Sequence, residues 1–247
     1  RYPTEMIDDL LCKDLKIIQD EKSYRFAIDA VLLANFVKAG KKDRVIDLGT
    51  GSGVIPLLVS AKTEAKQIVG LEILEDVAER AKRSVEMNDL QQRIKIVCGD
   101  LKDAAEIFGR ESFSVVVTNP PYMTINEGKI SPDTKIAIAR HEVAATLEDI
   151  IKSASSLLTF GGRFYMVYRT FRMAEAFWVL KKHGIEPKIL RIIQPREKEE
   201  ANLFMLMAKK GGKTGLTVMP PLVVYNDTGE YTKEIMSIYF DGLDKKR

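Results

Sequence analysis

Val45-Ile46-Asp47-Leu48-Gly49-Thr50-Gly51-Ser52-Gly53-Val54-Ile55-Pro56 is the stretch that decides how this chain folds. Its apolar run ends in an acid and then in glycines at every second position, the mark of a buried parallel strand turning tightly into a helix. Glycine at Gly49, Gly51 and Gly53 removes Cβ and admits positive φ, so a ligand can lie against bare backbone at the carboxyl end of the strand. An α/β sheet with helices on both faces and a nucleotide-like ligand at that end is therefore expected.

The glycine spacing narrows the ligand. A dinucleotide site asks for Gly-x-Gly-x-x-Gly, with the diphosphate on the amino end of the following helix. Here the spacing is Gly-x-Gly-x-Gly, and Asp47 stands two residues ahead of the first glycine. A carboxylate there repels a phosphate and attracts an ammonium or sulfonium group. S-adenosyl-L-methionine carries both cations and no phosphate, which makes it the expected cofactor. A tight turn without a ligand would use the same glycines, and a dehydrogenase would need phosphate contacts that this spacing does not offer.

The chain is 247 residues long, room for one large core or a domain with a small appendage. With 45% hydrophobic and 30% charged residues it reads as an ordinary soluble protein, and no apolar run approaches the ~18 residues of a membrane span. Two cysteines, Cys12 and Cys98, fit a reduced compartment, and both are expected to be small buried residues; the expected location is the cytoplasm. His141 and His183 are the only histidines, so no metal cluster can be assembled by spacing and none is expected. Lys and Arg number 22 against 25 acids over residues 1–160, 12 against 5 over 161–213, and 4 against 5 over 214–247. The late basic surplus suits a polyanion such as RNA. A merely solvated surface would show the same lysines.

Taken in order, Leu15 to Gln19 and Tyr24 to Ile28 read as the strands of a hairpin, and Asp29 as the N-cap of a helix from Ala30 to Lys38. After the glycine loop and a helix to Lys62, a strand from Gln67 to Leu71 closes at Glu72, where doubly wound sheets place an acid for ribose hydroxyls. Glu75 to Asn88 is an amphipathic helix, and Ile94 to Cys98 a third strand running into Gly99-Asp100-Leu101. Asp100 can cap the helix from Lys102 to Phe108.

A fourth strand, Phe113 to Thr118, runs into Asn119-Pro120-Pro121-Tyr122, the most specific signal in the chain. Two prolines can neither continue a central strand nor enter a helix interior, so they fix the backbone at the sheet's edge. That aims the Asn119 side-chain oxygen and the Pro120 carbonyl at the cofactor cleft. Two acceptors side by side can hold both N–H bonds of a planar amino group and favour the geometry that frees its lone pair. Tyr122 offers an aromatic face for a planar target.

Residues 123–141 are polar and aperiodic and read as a substrate-gated lid, with Ala139-Arg140-His141-Glu142 at its end placing a cation and an imidazole near the site; a structural hydrogen bond would account for His141 equally well. A helix capped by Thr146 follows, then a Gly161-Gly162 turn, a strand from Arg163 to Tyr168, and a helix from Phe171 to His183 in which Trp178 is expected to pack inward. Lys188 to Ile193 and Leu203 to Lys209 read as an antiparallel hairpin, and residues from Leu222 to Tyr239 as a strand, a turn and a short helix.

These motifs together resemble the class I methyltransferases that act on amino nitrogens, most closely the bacterial tRNA adenine-N6 methyltransferases that modify the adenosine beside the anticodon of valine tRNA. The likeness rests on Phe26 to Leu33, Asp47 to Gly53, Asn119 to Tyr122, Ala139 to Glu142 and Pro221 to Tyr225, and spans nearly the whole chain. It implies a single Rossmann-like domain with a mixed seven-stranded sheet: an extension over 1–40, a catalytic core over 41–210 and an appendage over 211–247. It implies that Asp29 lies near the methionine end of the cofactor, that Asp100 and Leu101 meet the adenine, and that tRNA is the partner. Ribosomal RNA guanine and protein glutamine methyltransferases share Asn-Pro-Pro-Tyr, so they stay open as alternatives, as does an RNA-binding module without activity. The 40 residues ahead of the core are expected to leave little room for the helical domain that release-factor enzymes carry there. Its oligomeric state, monomer or homodimer, is left open.

Overall fold

A computed structural model of the protein describes residues 5–20, 28–120 and 145–240. The sheet is built from β3 (Arg44–Leu48), β4 (Gln67–Glu72), β5 (Ile94–Cys98), β6 (Phe113–Thr118), β7 (Leu158–Arg169), β8 (Ile185–Gln194) and β9 (Leu203–Lys210). They lie side by side in the order β5, β4, β3, β6, β7, β9, β8, all parallel except β9, which runs against both its neighbours. This is the mixed sheet expected from the sequence. Two two-residue strands, β10 (Thr217–Val218) and β11 (Leu222–Val223), extend it by pairing in parallel with β8.

Helices α1 (Ile28–Phe36), α2 (Val54–Lys62), α3 (Glu75–Met87) and α7 (Lys233–Tyr239) bury one face of the sheet, and α4 (Ala104–Phe108), α5 (Leu147–Leu157) and α6 (Met173–Lys182) the other. Strand alternation sorts the side chains between two cores: Val45 goes with the first, Ile46 and Leu48 with the second. By the same alternation Asp47 points toward α1, α2 and α3. Pro56 falls in the first turn of α2, where its missing N–H removes no helical bond. Thr146 and Asp149 form a complete capping box at the start of α5. Among the described residues no helix is long and apolar enough to cross a membrane.

Several expectations are corrected. β2 (Lys16–Asp20) pairs with β1 (Glu5–Asp9) upstream of it, and Ile28, expected to end the second strand of the hairpin, opens α1; Tyr24 to Ala27, the rest of that expected strand, lie outside the described residues. Glu5 holds β1 in place: its carboxylate is buried and takes hydrogen bonds from Arg83 at 2.8 and 2.6 Å and from Arg80 at 3.3 Å, pinning the β1–β2 pair to α3. Asp29 lies inside the first turn of α1 rather than ahead of it. Gly161 and Gly162 sit within β7, not in a turn before it. Cys12 is buried as expected, but Cys98, the last residue of the edge strand β5, is exposed. Trp178 faces solvent, 62% exposed.

Candidate active site

The glycine loop links β3 to α2, and its three glycines take left-handed φ of 75°, 55° and 89°. A Cβ on Gly49 or Gly51 would meet nothing within 4 Å, because both border an open cavity of about 240 Å³ at the carboxyl end of the sheet. Gly53 differs: its Cβ would come to 3.3 Å from Ala81 in α3. It caps α2 and lets two helices approach, and it stands away from the cavity.

The loop spends its own donors. Gly49 and Thr50 both donate to the Leu71 carbonyl, at 2.9 and 3.0 Å, Gly51 donates to Glu72 Oε2 at 2.9 Å, and Gly53 to the Thr50 carbonyl at 3.0 Å. Four of the five loop N–H groups are therefore turned into the protein, the reverse of a phosphate cradle. Glu72, buried at the end of β4, also accepts from Leu74 N at 3.0 Å through Oε1. It buttresses the loop and also lines the cavity, with one acceptor site on each oxygen not used by these two bonds.

Asp47 lies behind the loop, 1% exposed, and neither carboxylate oxygen has a hydrogen-bond partner. Burial pushes its carboxyl up to about 7; the Thr50 side chain, near but not hydrogen-bonded, opposes the rise, and the charge of Glu72 adds to it. A buried polar group without a partner carries a desolvation penalty, and here it directly precedes Leu48 and Gly49, which line the cavity.

The other walls come from β5 and β6. Asp100 follows β5, lines the cavity, and accepts from Lys102 N at 2.9 Å, so it caps the 3-10 turn Leu101–Asp103 while facing the space. Leu101 adds an apolar surface beside it. At the end of β6 the Thr118 hydroxyl donates to the Leu48 carbonyl at 3.0 Å, tying that strand end to β3. The next two residues, Asn119 and Pro120, open onto the same cavity.

Of the residues singled out in the sequence, Gly49, Gly51, Glu72, Asp100, Leu101, Asn119 and Pro120 meet at this cavity. Asp47 backs the loop behind it and Gly53 packs against α3. Asp29 is buried in α1 and its carboxylate accepts from Ala30 N at 2.8 Å. Pro121, Tyr122, Arg140 and His141, with the expected lid, lie outside the described residues. Ile73, Ala145 and Ile150 also line the cavity and were not singled out. Ile73 directly follows the ribose-type acid, a position that could have flagged it. Ala145 and Ile150 come from α5 and the residue before its cap, far along the chain, with no local signal.

A family model described as "Methyltransferase small domain" matches residues 27–184. A relative from Bacteroides fragilis, named tRNA1(Val) (adenine(37)-N6)-methyltransferase, is 28% identical over 155 residues, 63% of this chain and 64% of its own length. The match thus spans just under two thirds of that relative. A relative of the same name from Porphyromonas gingivalis is 26% identical over 236 residues, 92% of this chain and 91% of its own. Among solved structures, a predicted O-methyltransferase from Agrobacterium tumefaciens superimposes with a TM-score of 0.69 at 25% identity, covering 85% of this chain and 95% of that one.

Proposed function

This chain belongs to the methyltransferase small domain family, and we infer that it transfers a methyl group from S-adenosyl-L-methionine to the exocyclic N6 of an adenine in tRNA. The position we assign is the adenosine next to the anticodon, position 37, of valine tRNA, as named for the curated relatives. One observation carries the reading: Asn119 and Pro120 share a cavity with Gly49, Gly51, Glu72 and Asp100. Donor and acceptor of a one-carbon transfer must meet in such a shared space.

The residues present fit the cofactor. Bare backbone at Gly49 and Gly51 leaves room that a Cβ would fill. The unpartnered carboxylate of Asp47 suits an ammonium or sulfonium charge, the free lone pairs of Glu72 suit ribose hydroxyls, and Asp100 beside Leu101 suits an adenine amino group and ring. Asp29, on the same sheet face as Asp47, is assigned to the methionine end. When bound, S-adenosyl-L-methionine supplies a methyl group on a positive sulfur, an electrophile that needs no activation.

The chain's own task is to hold the acceptor. The Asn119 side-chain oxygen and the Pro120 carbonyl accept the two N–H bonds of the adenine amino group and keep its lone pair free for attack. No base has to act first, because the neutral amino group is the nucleophile. Tyr122 is assigned the stacking face for the flipped base, Pro121 the rigidity of the turn, and Arg140 and His141 contact with the RNA backbone. Positioning of this kind lowers a barrier by ~7 to 11 kcal/mol.

The test offers labelled S-adenosyl-L-methionine with total tRNA, ribosomal RNA and release factor in parallel, followed by nucleoside and peptide analysis. N6-methyladenosine in the valine tRNA fraction is the expected product. Label in ribosomal guanine or in a glutamine would move the substrate, and RNA binding without any label would leave a binding module.

A further inference from the structure

We propose that the outer face of α6, with the turn leading into it, is a track for the RNA strand that leaves the cavity. This rests on the RNA methyltransferase reading above. The helix crosses from β7 to β8, so it starts at the cavity end of the sheet and finishes at the opposite end. From residue 171 to 182 its exposed residues are Phe171, Ala174, Glu175, Trp178, Lys181 and Lys182. They recur at intervals of three and four, so they form one stripe down one side of the helix, about 16 Å long.

A stripe of this kind on a soluble protein is normally polar. This one carries two of the most exposed aromatic side chains among the described residues, Phe171 at 66% and Trp178 at 62%. Phe171 is presented by a fixed turn: Thr170 donates to the Asn202 carbonyl through N at 3.2 Å and to the Ala201 carbonyl through Oγ1 at 2.8 Å. On its other side Arg172 is held by Glu175 at 2.7 and 2.6 Å and by the Tyr168 hydroxyl. Arg172 thereby offsets the acid that would otherwise face a phosphate.

Farther along, Lys182 Nζ lies 5.0 Å from the centre of the Trp178 ring, and Lys181 and Lys182 remain 55% and 45% exposed. Aromatic faces interleaved with ammonium groups recognise single-stranded RNA, whose bases stack and whose phosphates pair. The basic surplus of residues 161–213 falls partly here. Glu148 and Glu186 now hold Lys182 at 2.6 Å and Lys181 at 3.1 Å; with both lysines exposed these pairs are worth little, and a phosphate on the track would displace them.

The test uses an unmodified valine tRNA transcript with the full-length protein and three variants: Phe171→Ala, Trp178→Ala, and Lys181→Ala with Lys182→Ala. Binding is measured across a salt series, together with kcat and KM for methyl transfer and with circular dichroism to confirm folding. Each aromatic variant should weaken binding roughly 5- to 100-fold, with KM rising and kcat nearly unchanged. The double lysine variant should reduce the slope of log affinity against log salt by about 1 to 2. If the wild type methylates the transcript while all three variants keep its KM and slope, the track is refuted, the activity stands, and the face falls to a protein partner. If the variants lose affinity for a transcript that the wild type binds but does not methylate, the track stands and the activity fails. Failure of the wild type to bind the transcript overturns both.

Discussion

Two aspartates four residues apart, one just ahead of β3 and one near its end, meet opposite fates. Asp43, at the closed end of the sheet, accepts from Gly40 N, Ser114 Oγ and Arg163 Nη2, each at 2.7 Å. Partial burial pushes its carboxyl up, but the Ser114 hydroxyl, the Gly40 N–H and the Arg163 guanidinium outweigh that and hold it below the ordinary aspartate range. Asp47, at the cavity end, has no partner for either oxygen, and burial drives it up to about 7. The same residue type, ahead of the strand and near its end, is thus fully partnered at one end of the sheet and unpartnered at the other. For this pair of acids, the unmet polar capacity lies at the end of the sheet that carries the cavity.

The largest expected effect lies at the open end. Asn119→Ala should reduce single-turnover methyl transfer by about 10²- to 10³-fold, while calorimetry finds cofactor affinity within about twofold and an unchanged melting temperature. Parallel loss of affinity and stability would make Asn119 structural instead, and the contrast between the ends would fail. Asp47→Asn should next give the free protein greater stability at pH 8, by a few kcal/mol at most, because burial has pushed the carboxyl up to about 7. The native carboxyl keeps its proton between about pH 4 and 7 while the unfolded one loses it, so the wild type weakens as pH rises through that window. The variant's advantage, read from urea unfolding, should therefore be absent near pH 4 and full above 7, and a gain independent of pH would exclude a buried charge as its cause. Its cofactor affinity should fall.

At the closed end the signs reverse. Asp43→Ala should cost about 1 to 3 kcal/mol at pH 7, because Gly40 N and Ser114 Oγ lose their acceptor and Arg163, still bound to the Lys38 carbonyl, loses its acid, and leave kcat of the folded enzyme alone. Since the native carboxyl is held low, that penalty should be full above about pH 4 and fade as pH falls through the native value. Ser114→Ala removes one of the three contacts and should cost about 1 kcal/mol, the smallest difference that chemical denaturation can resolve here.

How much of this was legible in the sequence depends on range. The strand, loop and helix from Val45 to Lys62 and the strand ending in Asn119 carry short-range signals, glycine and proline among them, and their elements fall where expected. β1 did not announce itself, because Glu-Met-Ile-Asp-Asp is mostly polar and only the distant pair Arg80 and Arg83 makes burial of Glu5 favourable. Trp178 was placed inward for its apolar neighbours along the chain, but a helix sorts residues by 100° steps, and Ala176, Val179 and Leu180 take the buried side. Asp47 was expected to attract a cation; that it would lack any protein partner could only be seen once Thr50 had packed onto Gly70, where a Cβ would come to 2.8 Å from the threonine hydroxyl. The wall contributed by Ala145 and Ile150 depends on α5 docking from far along the chain.

The inward-turned amides of Gly49, Thr50 and Gly51 also bear on competition inside a cell. Adenine nucleotides such as ATP and NAD share the adenosine half of the proposed ligand and abound wherever RNA is made. A pocket that sorted them by size alone would spend much of its time clogged. Because the glycine loop has already committed the N–H groups of Gly49, Thr50 and Gly51 to Leu71 and Glu72, a phosphate tail arriving there meets none of these donors free, which weighs against such competitors.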